Sequence, residues 1–492
     1  DYAEAHFNLG NALHQQGRLE EALASHEKAL ALKPDYPGAL NNLGGVLTDL
    51  GNLEEAVARY KQAFTLKPDY SNARCNYLHT LLYLPDIANA DLFDTYREAV
   101  LGDPSVHGAG DSVSEPPPAL TVSPGERLRI GYLSSDLGNH PVGRNILPLL
   151  TSHNQEKFEA FCYADVRHPD GMTEKFRSTT DHWHTIVGKS DAEVAKMVRA
   201  DGIDVLVCLA GRFDGNRPLV CAHRAAPVQV SYHDGPTSGL EEMDYLLTDN
   251  FLNPPDTKEM FTEELYRLPV FFQYPPIEEA PPVVAPPSAQ AGFITFGSFN
   301  NPAKVNDEVI RLWAEVLKSV PGSRLLLKYK NWYDQASLHD RVVARFAACG
   351  IDQDRIKFAT SLDTIEEHLG HYGEVDIALD PFPFNGATTT FQALWMGVPV
   401  VSLTGETWTT RITGSILHYG GLGELVVDTP EAYVACARDL AGDPARLETL
   451  RTNLREQIVR SPLCDAATYA RSVETAYREM WRKWCVGQHP MT

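Results

Sequence analysis

The chain has 492 residues, room for about three domains of ordinary size, and 43% of it is hydrophobic, which excludes a disordered polymer. Its formal net charge of −22 excludes bulk nucleic-acid binding, because an acidic surface repels a phosphate backbone. No apolar run approaches the ~20 residues of a membrane helix, no leader peptide is visible, and the eight cysteines form no C-x-x-C pair, so a cytoplasmic setting without membrane, metal site or disulfide framework is expected.

The first segment repeats itself. Tyr2, Tyr36 and Tyr70 are spaced by 34 residues, as are Ala5, Ala39 and Ala73. Gly10 matches Gly44, Gly17 matches Gly51, Ala22 matches Ala56, and Pro34-Asp35 matches Pro68-Asp69. This is the tetratricopeptide period, in which small residues let paired helices pack closely and a proline ends the second helix. Two repeats and the start of a third are expected, with more upstream, because such units bury their faces on neighbours. The repeats read as a groove for protein or peptide acceptors, or else as a packing stalk that could support a homodimer. A further helix over 91–101 completes the helical region, 1–101, and a Gly/Ser/Pro-rich linker follows over 102–126.

From Arg127 the pattern alternates. Apolar strands are expected in RLRIGYLSSD, IDVLVCL (203–209), VQVSY (228–232) and YLLTD (245–249), with helices between them, which reads as a Rossmann-like domain over 127–273. A proline-rich linker, 274–290, leads to a second such domain over 291–460. Its expected strands are 293–299, 324–329, 355–358, 376–380 and 398–403, and a C-terminal amphipathic helix lies within 461–492. Two α/β halves of this kind form a cleft and bind ligands at the C-terminal ends of their strands.

The most informative segment is DPFPFNGATTTFQALWMGVPVV. A strand ends at Asp380, a loop carries Asn385-Gly386, and Thr388, Thr389 and Thr390 open a helix. Free N–H groups and hydroxyls at a helix start cradle a diphosphate. An ordinary threonine-capped helix is the alternative. In FNNPAK, Lys304 precedes a helix over 306–319 and can neutralise charge on a leaving diphosphate. In SSDLGNHPVGR, His140 stands at the end of the first strand of the other domain, placed to face Lys304 across the cleft as a base or orienting group. The loop HDGPTSGLEEMDY, with His233, Pro236 and Thr237, is expected to line a sugar pocket. His368, in TIEEHLGHY, is expected near a helix start, in contact with base or phosphates.

On these motifs, with PVQVSYHDGPTSG and FGSFNNPAK, the chain resembles the O-GlcNAc transferase family, including its bacterial members and the plant Spindly-type O-fucosyltransferases. The resemblance implies tetratricopeptide repeats followed by a GT-B glycosyltransferase of two Rossmann-like domains, with inverting, metal-independent and cofactor-free transfer to Ser or Thr hydroxyls. It implies His140 as the catalytic histidine and Lys304 as the lysine that stabilises the leaving nucleoside diphosphate. It places Thr388 and Thr389 on the diphosphate, Asn301 where the family has a glutamine, His368 beside the nucleotide, and Gln392 where an aspartate meets the ribose. Ala387, Ile365 and the loop His233-Asp234 depart from the animal enzyme's pattern, and Arg212-Phe213 stand where bacterial relatives carry His-Thr. Phe384 and Gln392 occupy the two positions that hold glutamates in retaining GT-B enzymes, which favours inversion. UDP-GlcNAc is the expected donor. GDP-fucose, UDP-glucose and a non-catalytic repeat scaffold are the alternatives.

Overall fold

The computed structural model describes residues 2–85, 87–104, 127–211, 215–233, 235–360 and 364–488. Most of the linker, together with Arg212, Phe213 and Asp234, lies outside the described residues. The repeats form two helical hairpins, α1 (Ala3–Gln15) with α2 (Leu19–Leu32) and α3 (Pro37–Asp49) with α4 (Leu53–Leu66), followed by α5 (Ser71–Leu81) and α6 (Asn89–Leu101). Gly17 and Gly51 make the matching turns of the two hairpins at φ of 72° and 74°, a left-handed conformation that explains glycine at that point of the period.

The chain divides into two compact units. One comprises Asp1–Lys67, Thr80–Asp86 and Pro276–Ser461, so it joins the first repeats to the second α/β region. The other comprises Pro68–His79, Ile87–Pro275 and Pro462–Thr492, so it joins the first α/β region to the C-terminal helix Ala466–Gln488.

The latter unit holds a seven-stranded parallel sheet of β1 (Leu128–Ser134), β2 (Phe158–Ala164), β3 (His182–Thr185), β4 (Val205–Leu209), β5 (Val228–Tyr232), β6 (Tyr245–Asp249) and β7 (Glu264–Leu268), in the order β3-β2-β1-β4-β5-β6-β7. Strands β2, β3 and β7 were not among the sequence expectations. Two of them, β3 (HWHT) and β7 (ELYRL), lie at the sheet edges, are short, and mix polar with apolar residues, which hides their period. β1, β4 and β5 are apolar runs buried almost throughout, as strands covered on both faces must be.

The other unit holds a six-stranded parallel sheet, β10-β9-β8-β11-β12-β13, built from β8 (Thr295–Ser298), β9 (Arg324–Lys328), β10 (Ile356–Ala359), β11 (Ile377–Leu379), β12 (Val400–Leu403) and β13 (Val426–Val427). β8 is shorter than its apolar run. Phe299 leaves the sheet after Ser298 and packs on Tyr372, with ring centroids 4.4 Å apart. In both sheets the strand order reverses beside the first strand, between β1 and β4 and between β8 and β11. Connections on either side of such a point leave in opposite directions and open a crevice at the carboxyl ends of the strands. His140 follows β1. Lys304 follows β8, and Thr388 follows β11.

Among the described residues no helix is long and apolar enough to cross a membrane.

One buried side chain ties the second sheet to its helices. Arg451, 2% exposed, sits on the helix Pro444–Arg460 and donates to the carbonyls of Tyr372 and Met396, each at 3.2 Å, and to that of Val375. It thereby satisfies the turn ahead of β11 and the end of the helix Thr388–Trp395. Arg451→Met leaves these carbonyls without their donor and is expected to cost about 2–4 kcal/mol in denaturant unfolding; a loss below about 0.5 kcal/mol would show that the network is dispensable.

Candidate active site

The switch point between β8 and β11 is built from two loops that brace each other. After β11, Asp380 is 2% exposed and its carboxylate accepts the Gly386 N–H at 2.8 Å and the Ser402 hydroxyl at 2.8 Å. Those bonds fold the loop Pro381–Gly386 back over the strand end. Gly386 is required there: a Cβ would lie 2.6 Å from the Thr389 hydroxyl and 2.8 Å from that of Thr390.

The helix Thr388–Trp395 begins immediately after this loop. Its N-cap residue is Ala387, which has no side chain to close the helix start. The first-turn N–H groups are therefore not met by an N-cap side chain. Thr389 donates to Asn300 Oδ1 at 2.9 Å, and Thr390 shares a hydrogen bond of 2.8 Å with Thr413. Thr388 makes no side-chain hydrogen bond among the described residues and is half-buried. The threonine triplet is thus divided by function: Thr390 is structural, Thr389 links the two loops, and Thr388 remains available.

After β8, Asn301 caps the short turn Pro302–Lys304 by accepting the Ala303 N–H at 2.9 Å. Asn306 then caps the helix Asp307–Ser319 through Val309 N–H at 2.9 Å and also donates to Phe382 O at 2.8 Å. Lys304, held between these caps, donates from Nζ to the Asn385 carbonyl at 2.7 Å and lies 4.3 Å above the centre of the Phe384 ring. Burial pushes its ammonium below the ordinary lysine value, and the nearby Asp380 opposes that change. Burial likewise pushes Asp380 up, against the pull of Gly386, Ser402, Thr413 and Lys304. The pair can stay charged because each group stabilises the other's charged form.

A second chain of contacts continues from this site. Lys328, at the end of β9 and 1% exposed, meets His368 Nδ1 at 2.6 Å, and His368 Nε2 meets Gln392 Oε1 at 3.1 Å. A charged ammonium has only protons to give, so Nδ1 accepts and Nε2–H donates to Gln392. The imidazole is neutral. Burial, with the charge of Lys328, holds its pKa down to about 4. His368 lies in the second half of the helix Ile365–Gly370, whose start is capped by Thr364, rather than at the helix start the sequence led us to expect. Lys328 was missed at the sequence level, since only burial distinguishes it from a solvated lysine.

In the other unit the loop after β1 carries His140 as the N-cap of the helix Pro141–Ser152. Its Nδ1 accepts the Val142 N–H at 3.3 Å and stands 3.6 Å from Asp136 Oδ2. Asp136 is buried and is fixed by Asn216, which donates to it at 2.8 Å while accepting from Ser134 Oγ and Ser135 N–H, each at 2.8 Å. Asn216 and Asp136 were also invisible in the sequence, because their partnership spans 80 residues.

His233 and Ala210 end neighbouring strands, and both take left-handed backbone at φ of 58°. Such strain in non-glycine residues concentrates at functional sites. The His233 ring packs on Tyr232 and Phe271, and burial pushes its pKa down to about 3, so it is neutral. Pro236 is buried and lines a small cavity with Tyr96 and Phe261, without His233. Thr237 is also buried, with its hydroxyl donating to Glu263 at 2.7 Å, so it fixes the loop rather than presenting a free hydroxyl. Among the described residues no three His, Cys, Asp or Glu side chains are grouped to hold a metal ion.

Residues 116–274 and 288–473 match the model of glycosyl transferase family 41, and residues 1–69 match a tetratricopeptide repeat model. A protein of Hordeum vulgare named as the probable UDP-N-acetylglucosamine–peptide N-acetylglucosaminyltransferase SPINDLY is 36% identical over 421 residues, covering 84% of this chain and 44% of that protein. The probable UDP-N-acetylglucosamine–peptide N-acetylglucosaminyltransferase SEC of Arabidopsis thaliana is 32% identical, covering 74% and 38%. This chain therefore spans less than half the length of these plant relatives. A solved mutant O-GlcNAc transferase of Thermobaculum terrenum superposes with a TM-score of 0.86 at 33% identity, covering 99% of this chain and 92% of that one.

The geometry around Lys304 and Thr388 predicts a site for a diphosphate-sized anion. Inorganic pyrophosphate at about 100 times its dissociation constant should stabilise the protein by about 2.7 kcal/mol in thermal unfolding, and Gly386→Ala should abolish that gain. Equal protection of the variant would place the anion elsewhere.

Proposed function

This chain belongs to glycosyl transferase family 41, and on that premise we propose that it is a protein O-glycosyltransferase moving N-acetylglucosamine from UDP-N-acetylglucosamine to Ser or Thr hydroxyls. The observation that carries the reading is the ammonium of Lys304 set beside a helix start without a side-chain cap, at the switch point of a parallel sheet. The names of the plant relatives support this donor and a peptide acceptor. The tetratricopeptide repeats support recognition of the acceptor as a protein.

In this reading the acceptor oxygen attacks the anomeric carbon as the bond from that carbon to the β-phosphate oxygen breaks, with inversion. The acceptor proton passes to an oxygen of the departing diphosphate, or to His140 once its Nδ1 lone pair is released from the Val142 N–H. Charge gathers on the diphosphate, where Lys304, the helix N–H groups and the Thr388 hydroxyl meet it. Neutralisation falls to these groups, so no metal is needed. Asn301 caps the turn that carries Lys304, and the buried Asp136 carboxylate lies 3.6 Å from His140 Nδ1.

A second donor, GDP-fucose, is the alternative reading, since the diphosphate contacts proposed here are common to both donors. Competition between UDP and GDP for the purified protein decides between the donors. Tight GDP binding with no UDP binding would reject the first choice.

Lys304→Met is expected to lower turnover by at least about 100-fold, in the range seen for loss of one charge-stabilising donor, with the thermal transition retained. Full activity in that variant would remove the lysine from the mechanism. Turnover should also fall as pH rises through the lowered range of the Lys304 ammonium, because only the protonated form stabilises the leaving group. A rate that is flat to the ordinary lysine range would argue against that step. His140→Ala should reduce turnover far more than UDP affinity, and an unchanged turnover would take it off the list of catalytic groups.

A further inference from the structure

The repeats of the first unit do more than precede the donor-binding sheet; they pack against the loop that carries its lysine. Leu53, at the start of α4, and Tyr83, just past α5, form a buried cluster with Ala303, the residue before Lys304, and Leu84 and Phe384 pack on it. Tyr83 is 6% exposed, and its ring lies 5.1 Å from that of Phe384. The Phe384 ring in turn lies 4.3 Å below the Lys304 ammonium. A single aromatic side chain therefore stands between a repeat residue and the charged group that the proposed reaction requires.

The repeats are fixed to this unit on the same side. The hairpin turns carry polar contacts: Glu20 accepts the Ser337 N–H at 2.5 Å, and Arg341 donates to the side chain of Asn52. A Cβ on Gly51 would approach Arg341 at 3.2 Å and the Pro302 carbonyl at 3.7 Å, so the turn of the second hairpin borders the short helix bearing Lys304. The edge formed by the turns is thus a built interface.

We infer that Tyr83 is a positioning residue for sugar transfer: by packing on Phe384 it fixes the ring whose face holds the Lys304 ammonium. The inference rests on the role of Lys304 proposed above. The physical cause is the ring's quadrupole. A cation over an aromatic face is attracted to it, and the attraction depends on ring orientation. Phe384 is only partly buried, and the loop around it is attached by hydrogen bonds at Phe382 and Asn385, neither of which fixes the ring itself. Tyr83 packs directly on that ring. The charge acting on Lys304 is that of Asp380.

Tyr83→Leu keeps an apolar side chain in the cluster and removes the ring; Tyr83→Phe keeps the ring. The neutral fraction of Lys304 can be read directly from its rate of acylation by an amine-reactive ester at pH 7, followed by peptide mapping, in the full chain without donor. Tyr83→Leu should raise that rate about three- to tenfold, the span expected for loss of a partly desolvated cation–π contact. Tyr83→Phe should restore the original rate. Phe384→Leu should show the same increase, and the double variant Tyr83→Leu/Phe384→Leu no more than Phe384→Leu alone, since residues acting through one contact are not additive. An unchanged rate in folded Tyr83→Leu, or a rate not restored by Tyr83→Phe, overturns the inference, as does full additivity. Turnover separates this failure from that of the underlying reading: Lys304→Met inactive with Tyr83→Leu unaffected sinks only the role of Tyr83, whereas an active Lys304→Met sinks the reading itself.

Discussion

A lysine that must remain charged while partly withdrawn from water is the constraint around which the unit holding the second sheet is arranged. Desolvation alone drives an ammonium towards its neutral form. Lys304 is opposed to that tendency by three different things: the Asn385 carbonyl at 2.7 Å, the face of Phe384 and the carboxylate of Asp380. Asp380 faces the reverse problem, and the Gly386 N–H and Ser402 hydroxyl keep its charge. Each of the two charges lowers the cost of burying the other.

Much of the neighbouring sequence follows from this pair. Gly386 has to be glycine because its N–H turns inward to Asp380 while its Cα lies against two threonine hydroxyls. Asn306 serves two elements at once, capping the helix after Lys304 and holding the Phe382 carbonyl of the facing loop. Asn300 ties Thr389 to the β8 side. The two loops at the switch point are consequently braced together by side-chain hydrogen bonds. That bracing is what a charge-stabilising site needs, since donors that are already oriented need no reorganisation as charge develops. The repeats extend the same logic outward, because Leu53 and Tyr83 cover the remaining apolar side of the loop.

The parts of this arrangement that could be read from sequence were those set by local periodicity or short spacing. The 34-residue repeat appears as α1–α4 with matched glycine turns, and β5 and β6 coincide with the apolar runs that announced them. The strand end, loop and helix start were legible because they are contiguous between Asp380 and Trp395. What could not be read was long-range and polar. Asn216 holds Asp136 from 80 residues away, and Lys328 reaches His368 from 40, and neither leaves a mark in local composition. The grouping of the first repeats with the second sheet was hidden for the same reason: it depends on Tyr83, Ala303 and Phe384, which no pattern connects.

The distribution of polar groups also says where donor selectivity has to reside. UDP-linked and GDP-linked sugars present the same diphosphate, so Lys304, Gly386 and Thr388 must treat them alike, whatever the strength of the cradle. Discrimination requires groups that would be left unpaired by the wrong nucleoside, because that is where a binding site gains large ratios. In this unit the buried ammonium of Lys328 meets those terms. Its side-chain hydrogen bond is to a neutral imidazole, and that imidazole is itself committed to Gln392. Desolvating a lysine with no carboxylate in contact is costly, and a nucleoside bearing acceptors on the facing edge would offset that cost while one lacking them would not. On the proposed function, affinity would rest on the loops that brace Lys304, and selectivity on the end of β9 and the helix that carries His368.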